Sequence, residues 1–211
     1  MNAHADFAPG SVSMPGNAML DGLSFDSTAL GMGLPAEVES LIAQAGLVRQ
    51  DRVRAEALLQ KARTLAPMHP ATLIALYRFH FYGHRLREAR EVSREALSLA
   101  RAALVPGHPD PVAADLPPIT DEQARFDAAV RFYLFSLKGF AYLNLRLGDI
   151  EVGRAALHEL QHLDPHDRVG GAVLAVVLAR AESGDDEDEQ LDYDRLAISQ
   201  GRMPHRGWGN P

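Results

Sequence analysis

A pair of small residues returns along this chain after 34 residues. Ala55 and Ala62, the second followed by Pro67, recur as Ala89 and Ala96. A fixed period of this length is typical of proteins in which one supersecondary unit cannot bury its apolar face alone and stacks on a copy of itself. The function of such a chain is expected to reside in a surface rather than in an enclosed pocket.

The stretch from 55 to 67 resembles the tetratricopeptide repeat (TPR) family, whose unit is a helix–turn–helix of this period. In that family small residues lie where the two helices of a unit touch, and a proline ends the second helix. Ala55, Ala62 and Pro67 match those positions. The resemblance therefore implies helix hairpins that pack through small side chains.

A third, looser copy of the pattern ends at Pro165. It places Gly153 where Ala55 stands and Leu160 where Ala62 stands. With this copy the resemblance extends over about residues 36 to 182. A generic helical bundle with coincidental alanines is the alternative interpretation.

The sequence thus predicts an all-α domain at 35–183, a right-handed stack of about three TPR-like helix hairpins plus a closing helix. Five prolines between 105 and 119 exclude a helix there and form an insertion between repeats. Thr120 and Gln123 have the spacing of a capping box, which predicts a helix start. The predicted helices are 35–47, 50–66, 70–83, 86–104, 121–147, 150–163 and 168–182.

Both ends of the chain are expected to lie outside this domain. Residues 1–34 show no helical or alternating periodicity, which predicts a disordered or extended tail. Residues 184–211 begin with an acidic run at 185–189 and end in a tail that contains Trp208, the sole tryptophan. Trp208 is predicted either to dock on a partner or to pack back on its own domain.

Composition excludes several functional classes. The 211 residues include no cysteine, so disulfides and thiolate metal sites are excluded, and a cytoplasmic location is expected. No apolar run approaches the roughly 20 residues that a bilayer requires, and no Lys or Arg precedes Arg49, so neither a membrane segment nor a secretory signal is expected.

The charge pattern bears on the kind of partner. The net charge is −7, and the arginines of the first half alternate with glutamates, so nucleic acid is not an expected partner. The arginine excess near the second repeat has three interpretations: contact with an acidic protein, contact with the acidic segment 185–189, or a solvated helix face.

One literal catalytic motif occurs at His158-Glu159-Leu160-Gln161-His162. On a helix, histidines four residues apart share a face and can bind Zn²⁺ while the glutamate activates a water molecule. A third ligand is required, but the third histidine of the longer motif is absent because position 168 is Arg, and Glu182, a conceivable substitute, lies in a different helix. The repeat register places His158, Glu159 and His162 on the outer side of a helix. His80 and His84 share the spacing but are predicted to be packing and turn residues.

The family resemblance also implies a binding groove, because the first helices of successive TPR units line a concave face. Cations there would meet carboxylates of a partner segment, and aromatic rings would anchor its apolar side chains. An alternative is that the rings pack the chain's own insertion or N-terminal tail. The matching positions are Arg78, Phe81, Phe135, Lys138 and Tyr142.

These observations predict a non-catalytic, cofactor-free module that binds a protein through its groove and acts as an accessory factor or chaperone. The stretch at 77–84, Tyr-Arg-Phe-His-Phe-Tyr-Gly-His, is similar to a bacterial repeat protein associated with nitrogen fixation. That resemblance implies a nitrogenase component as the partner. A type III secretion chaperone and a zinc metallopeptidase using His158 and His162 are the alternatives.

Overall fold

The computed structural model describes residues 33–183, and all regular secondary structure in that range is helical. The predicted all-α class is confirmed. The tails expected at 1–34 and 184–211 lie outside the described residues, apart from residues 33 and 34. The helices are α1 (Ala36–Leu47), α2 (Arg52–Leu65), α3 (Pro70–Tyr82), α4 (Leu86–Leu104), α5 (Asp121–Phe126), α6 (Ala128–Arg146), α7 (Ile150–Leu163) and α8 (Val173–Ser183).

Local hydrogen bonds explain where several helices begin. The predicted capping box is present: the Gln123 backbone N–H donates to Thr120 Oγ1 at 3.2 Å, and the Thr120 N–H donates to Gln123 Oε1 at 3.0 Å. Asp51 caps α2 in a similar way, and Pro70 occupies the first position of α3. The side chains of Thr120, Gln123 and Asp51 bond to backbone donors that have no partner inside the helix, whereas Pro70 has no backbone N–H that needs one.

The single helix predicted from 121 to 147 is interrupted at Asp127. The backbone of Asp127 is extended, with φ −86° and ψ 111°, and its carboxylate accepts hydrogen bonds from the N–H groups of Ala129 (2.9 Å) and Val130 (3.1 Å). An aspartate side chain that bonds to nearby backbone donors competes with the helix and starts a new one. The prediction of one continuous helix is therefore wrong, and Arg125 and Phe126 are exposed at the break.

The closing helix is shorter than predicted, because α8 begins at Val173 rather than near Arg168. Residues 164–172 form an irregular segment organised by Asp164, whose buried carboxylate accepts the N–H of Val169 at 2.9 Å and pairs with Arg168. Gly170 has φ +69°, a conformation that favours glycine. This segment lies against α6.

The helices pack in the predicted pairs: α1 with α2, α3 with α4, and α6 with α7, while α8 covers α6 and α7. Contact of α4 with α6 joins the second pair to the third through one shared core. Small residues allow close approach, since a Cβ on Gly153 would lie 2.5 Å from Leu145 Cδ2. Ala55 and Ala89 are likewise fully buried.

Ion pairs between helices use several arginines of the first half. Arg63 binds both oxygens of Glu95, at 2.7 and 3.0 Å, and thereby joins α2 to α4. Two further arginines, Arg85 and Arg90, pair with Glu56 and Asp149. These three arginines thus bind carboxylates of neighbouring elements within the domain. Contact with an acidic protein or with the segment 185–189 stays a prediction.

Within residues 33–183, no helix combines the length and the apolar composition that crossing a bilayer requires.

Candidate functional site

Four aromatic rings gather where α3 meets α6, and we call them the aromatic face: Tyr77, Phe81, Tyr82 and Tyr142. Phe81 is at the centre of this set. Its ring centroid lies 5.6 Å from that of Tyr77 in a stacked arrangement, 5.3 Å from Tyr82 and 5.6 Å from Tyr142. Tyr142 is 9% exposed, whereas the other three rings are half-buried. The face therefore combines a fixed geometry with partial access to solvent.

The helical period and one glycine create this arrangement. Tyr77 and Phe81 are four residues apart on α3 and thus neighbours on its surface. Gly139 of α6 lies beneath Tyr77, and a Cβ at that position would be 2.8 Å from the Tyr77 hydroxyl oxygen. The absent side chain lets the ring reach α6. Two of the predicted anchors, Phe81 and Tyr142, are also in contact.

The other predicted site residues are distributed differently. Arg78 is half-buried on α3, and Phe135 is half-buried on α6, seven residues before Tyr142. Lys138 is only 6% exposed, and its Nζ donates to the Val169 carbonyl oxygen at 2.8 Å. Lys138 was expected in an open groove, and that expectation is wrong because segment 164–172 covers it. Trp208 lies outside the described residues.

A second surface, which we call the cationic cleft, lies beside the break between α5 and α6. Its volume is about 670 Å³. Arg125 and Phe126 are the last two residues of α5, directly before Asp127, and both are exposed. The cleft is lined by Asp121, Ala124, Arg125, Arg131, Phe135, His166, Arg168 and Val169.

The charges of the cationic cleft are unequal. Three arginines line it against one aspartate. That aspartate, Asp121, pairs with Arg168 and lies 3.2 Å from His166 Nδ1. Arg168 also binds Asp164 Oδ1 at 3.0 Å. Within residues 33–183, Arg125 has no ion-pair partner. Arg168 is thus bound by two aspartates, and Arg125 is an arginine of the lining that these pairs leave without a carboxylate.

The HExxH sequence on α7 does not form an open set of ligands. His158 and His162 are exposed, while Leu157 and Leu160 face the core, as the repeat register predicted. Glu159 was also expected on the outer side, and that expectation is wrong: its Oε1 accepts a hydrogen bond from the Tyr133 hydroxyl at 2.6 Å and pairs with Arg101 of α4. In the described part of the chain, no three His, Cys, Asp or Glu side chains are grouped to hold a metal.

Arg101 is a central residue that the sequence analysis missed. Besides Glu159 and Tyr133, it donates to the carbonyl oxygens of Pro111 and Ala114, each at 2.7 Å. It thereby ties the proline-rich insertion to α4, α6 and α7. Burial, followed by the bond to Glu159, raises the pKa of the Tyr133 phenol above its ordinary value, so the hydroxyl stays protonated. We call Arg101, Tyr133 and Glu159 the buried triad.

His80 and His84 occupy the packing and turn positions predicted for them. His80 is 4% exposed, and its ring contacts Phe79 edge to face. Burial, and secondarily the charge of Arg85, lowers the pKa of His80 below its ordinary value. His84 has φ 56°, a left-handed turn conformation. Neither histidine belongs to a metal site in the described residues.

Comparison with known proteins finds a relative of this chain. An uncharacterized 19.8 kDa protein in the nifW 5′ region of Azotobacter chroococcum mcd 1 is 34% identical to it over 161 residues, which cover 76% of this chain and 89% of that protein. This chain belongs to the same family. No family model matches the sequence of this chain, and no solved structure matches it.

Proposed function

We propose that this chain is a non-catalytic protein-binding module, built from TPR-like helix hairpins, that serves as an accessory factor in nitrogen fixation. The observation that carries the proposal is the aromatic face. Half-buried rings held in a fixed arrangement supply large contact area at low conformational cost, and such residues dominate the energetics of protein interfaces.

The position of the aromatic face supports a TPR-like interpretation. Phe81 and Tyr142 were both assigned to a groove through the repeat register, and they lie on α3 and α6, the first helices of the second and third pairs. In repeat proteins of this type the first helices of successive units form the binding surface. The contact between rings of two successive units fits that arrangement.

A role in nitrogen fixation rests on the relative. Its name places it in the 5′ region of nifW, and bacterial genes that act together are commonly neighbours. A partner within the nitrogen-fixation machinery is the simplest consequence for this chain. Such a partner would present a segment with apolar side chains to the aromatic face.

A hydrolytic role for the HExxH sequence has less support. The mechanism requires a glutamate that is free to take a proton from a metal-bound water. Glu159 is instead held by Tyr133 and Arg101. Its displacement would leave Arg101 partly buried and without its carboxylate partner, which is costly.

Gene deletion in the native organism tests the proposed role. We expect the deletion to lower nitrogenase activity, measured by acetylene reduction, in cells grown without fixed nitrogen. Complementation with the wild-type gene should restore the activity, whereas Phe81→Ser should not. Phe140→Ser is the matched control, because Phe140 is also a half-buried phenylalanine but lies on α6 and outside the aromatic face. Unchanged activity in the deletion strain would contradict the role in nitrogen fixation.

A further inference from the structure

We infer that the cationic cleft binds an acidic segment of the partner protein. The inference rests on the proposed function, because it gives the partner's chemistry at a second surface of the same module. A carboxylate of that segment would bind Arg125, and an apolar side chain beside it would pack on Phe135 and Phe126.

Charge is the first argument. Three arginines and one aspartate line the cleft, and Asp121 is already bound by Arg168 and His166. The guanidinium of Arg125 is exposed and has no ion pair among the residues described. Arginine binds carboxylates through paired hydrogen bonds, so an acidic ligand is the chemistry that this lining recognises.

The apolar part of the lining is the second argument. Phe135, Val169 and Ala124 contribute carbon surface to the cleft. A volume of about 670 Å³ is far larger than an inorganic anion requires. The ligand should therefore carry carboxylates on an apolar body, as a peptide of acidic and hydrophobic residues does.

Phe126 is the argument for a macromolecular ligand. Its ring is 78% exposed and does not line the cleft, although it directly follows Arg125. A small organic acid bound inside the cleft would leave this ring in water. A protein segment that continues past the mouth of the cleft would cover it, and exposed aromatic rings beside arginines are characteristic of protein interfaces.

The relation to the aromatic face fits one partner that uses both surfaces. Phe135 and Tyr142 are seven residues apart on α6, which separates them by about 10 Å along the helix axis. Lys138 lies between them on α6 and donates to Val169, which also lines the cleft. One partner that contacts both surfaces would therefore also pass over segment 164–172.

Binding of defined peptides tests the inference. The probe is a fluorescein-labelled decapeptide of glutamates with a central Leu-Phe pair, and its control has glutamine in place of every glutamate. We expect the acidic peptide to bind the full chain at least tenfold more tightly in fluorescence anisotropy, with an affinity that falls as salt rises. Equal binding of the two peptides, or no binding of either, would overturn the inference.

Variants locate the site. Arg125→Glu should weaken the acidic peptide at least tenfold, and Phe126→Ser should weaken it severalfold. Arg87→Glu is the matched control, because Arg87 is an exposed arginine on α4 and away from the cleft; it should change affinity less than twofold. Equal losses in Arg125→Glu and Arg87→Glu would show only a general charge effect and would overturn the assignment.

Asp121 provides a test with the opposite sign. Asp121→Asn removes the carboxylate that binds Arg168, so the acidic peptide should bind severalfold more tightly. Inorganic phosphate should compete only at concentrations far above that of the peptide. Displacement by equimolar phosphate would indicate a small-anion site instead and would contradict the inference.

The outcome for the cleft is separable from the outcome for the proposed function. If Phe81→Ser abolishes the restoration of nitrogenase activity while Arg125→Glu leaves the affinity for the acidic peptide unchanged, the cleft inference fails and the proposed function stands. If the affinity for the peptide depends on Arg125 but the gene deletion leaves nitrogenase activity unchanged, the proposed function fails and the cleft inference stands.

Discussion

The buried triad and the cationic cleft are built from the same kinds of residue, arginine, aromatic ring and carboxylate, yet they differ in burial and in pairing. The Arg101 side chain is 13% exposed and has several partners, on α6, α7 and the proline-rich insertion. Arg125 is exposed and has no ion pair in the described range. Composition alone thus does not separate a structural site from a binding site, whereas the partners of each charge do.

The sharpest way to break this comparison is to remove the arginine of the buried triad. Arg101→Ala leaves Glu159 without its cation and two carbonyls without donors. We expect the free energy of unfolding to fall by about 2–3 kcal/mol, below the roughly 3–5 kcal/mol of a fully buried pair because the Glu159 side chain is 36% exposed. Urea denaturation measures it. Arg94→Ala, at an exposed arginine of the same helix, should cost less than about 0.5 kcal/mol.

The matching change in the cationic cleft should affect binding and spare stability. For Arg125→Glu we expect a change in unfolding free energy within about 0.5 kcal/mol, because the side chain is exposed. The tenfold loss of acidic-peptide affinity corresponds to about 1.4 kcal/mol. Urea denaturation and anisotropy on the same sample measure both. A large loss of stability would remove the distinction between the two sites.

A smaller change within the buried triad is loss of the Tyr133 hydroxyl. Tyr133→Phe removes two hydrogen bonds, the one that the hydroxyl donates to Glu159 and the one that it accepts from Arg101, but leaves the Arg101–Glu159 pair in place. The expected cost is about 1–1.5 kcal/mol, because both charged partners keep their other contacts. Thermal unfolding would show it as a modest drop in Tm. A cost equal to that of Arg101→Ala would mean that the triad acts as a single unit.

His80 extends the comparison to a buried group whose Nδ1 lacks a hydrogen bond within residues 33–183. Its folded-state pKa is lowered from 6.5, so the unfolded state binds the proton more tightly. Stability is therefore retained above pH 6.5 and lost as the pH falls below it, by at most about 1.4 kcal/mol per pH unit. Unfolding free energies at pH 7.5 and 5.5 should differ less in His80→Leu than in the wild type.

The smallest effect is expected on the outer side of α7. His158 is exposed and Glu159 is held by the buried triad. Purified protein should contain far less than one zinc per chain, and His158→Ala should leave both the zinc content and the unfolding free energy unchanged. Stoichiometric zinc that disappears in His158→Ala would restore the metallopeptidase alternative.

The sequence was most informative where an apolar period is strong and flanked by stop signals. The bounds of α4 and α7 match the prediction, since alanines and leucines at three- and four-residue steps mark one buried face of each. The break at Asp127 escaped prediction because apolar residues continue on both sides of it, and one side-chain cap outweighs that continuity.

The candidate site was predictable only in part. Contact between Phe81 and Tyr142 follows from the repeat register, because it joins equivalent helices of successive units. The cationic cleft requires Arg125, Arg131 and Arg168 to meet, and this depends on the α5–α6 break and on the irregular segment at 164–172. Burial of Lys138 has the same origin. A periodic pattern does not encode such irregular backbone.

The most direct test of the account is the affinity between the purified chain and a nitrogen-fixation protein that co-purifies with it from the native organism, measured by isothermal titration calorimetry. For Phe81→Ser the account predicts a loss of affinity of about 100-fold, the size typical of an interface hot spot. Phe140→Ser should lose less than threefold, with helix content by circular dichroism retained in both. Equal affinities for wild type and Phe81→Ser would contradict a binding role for the aromatic face.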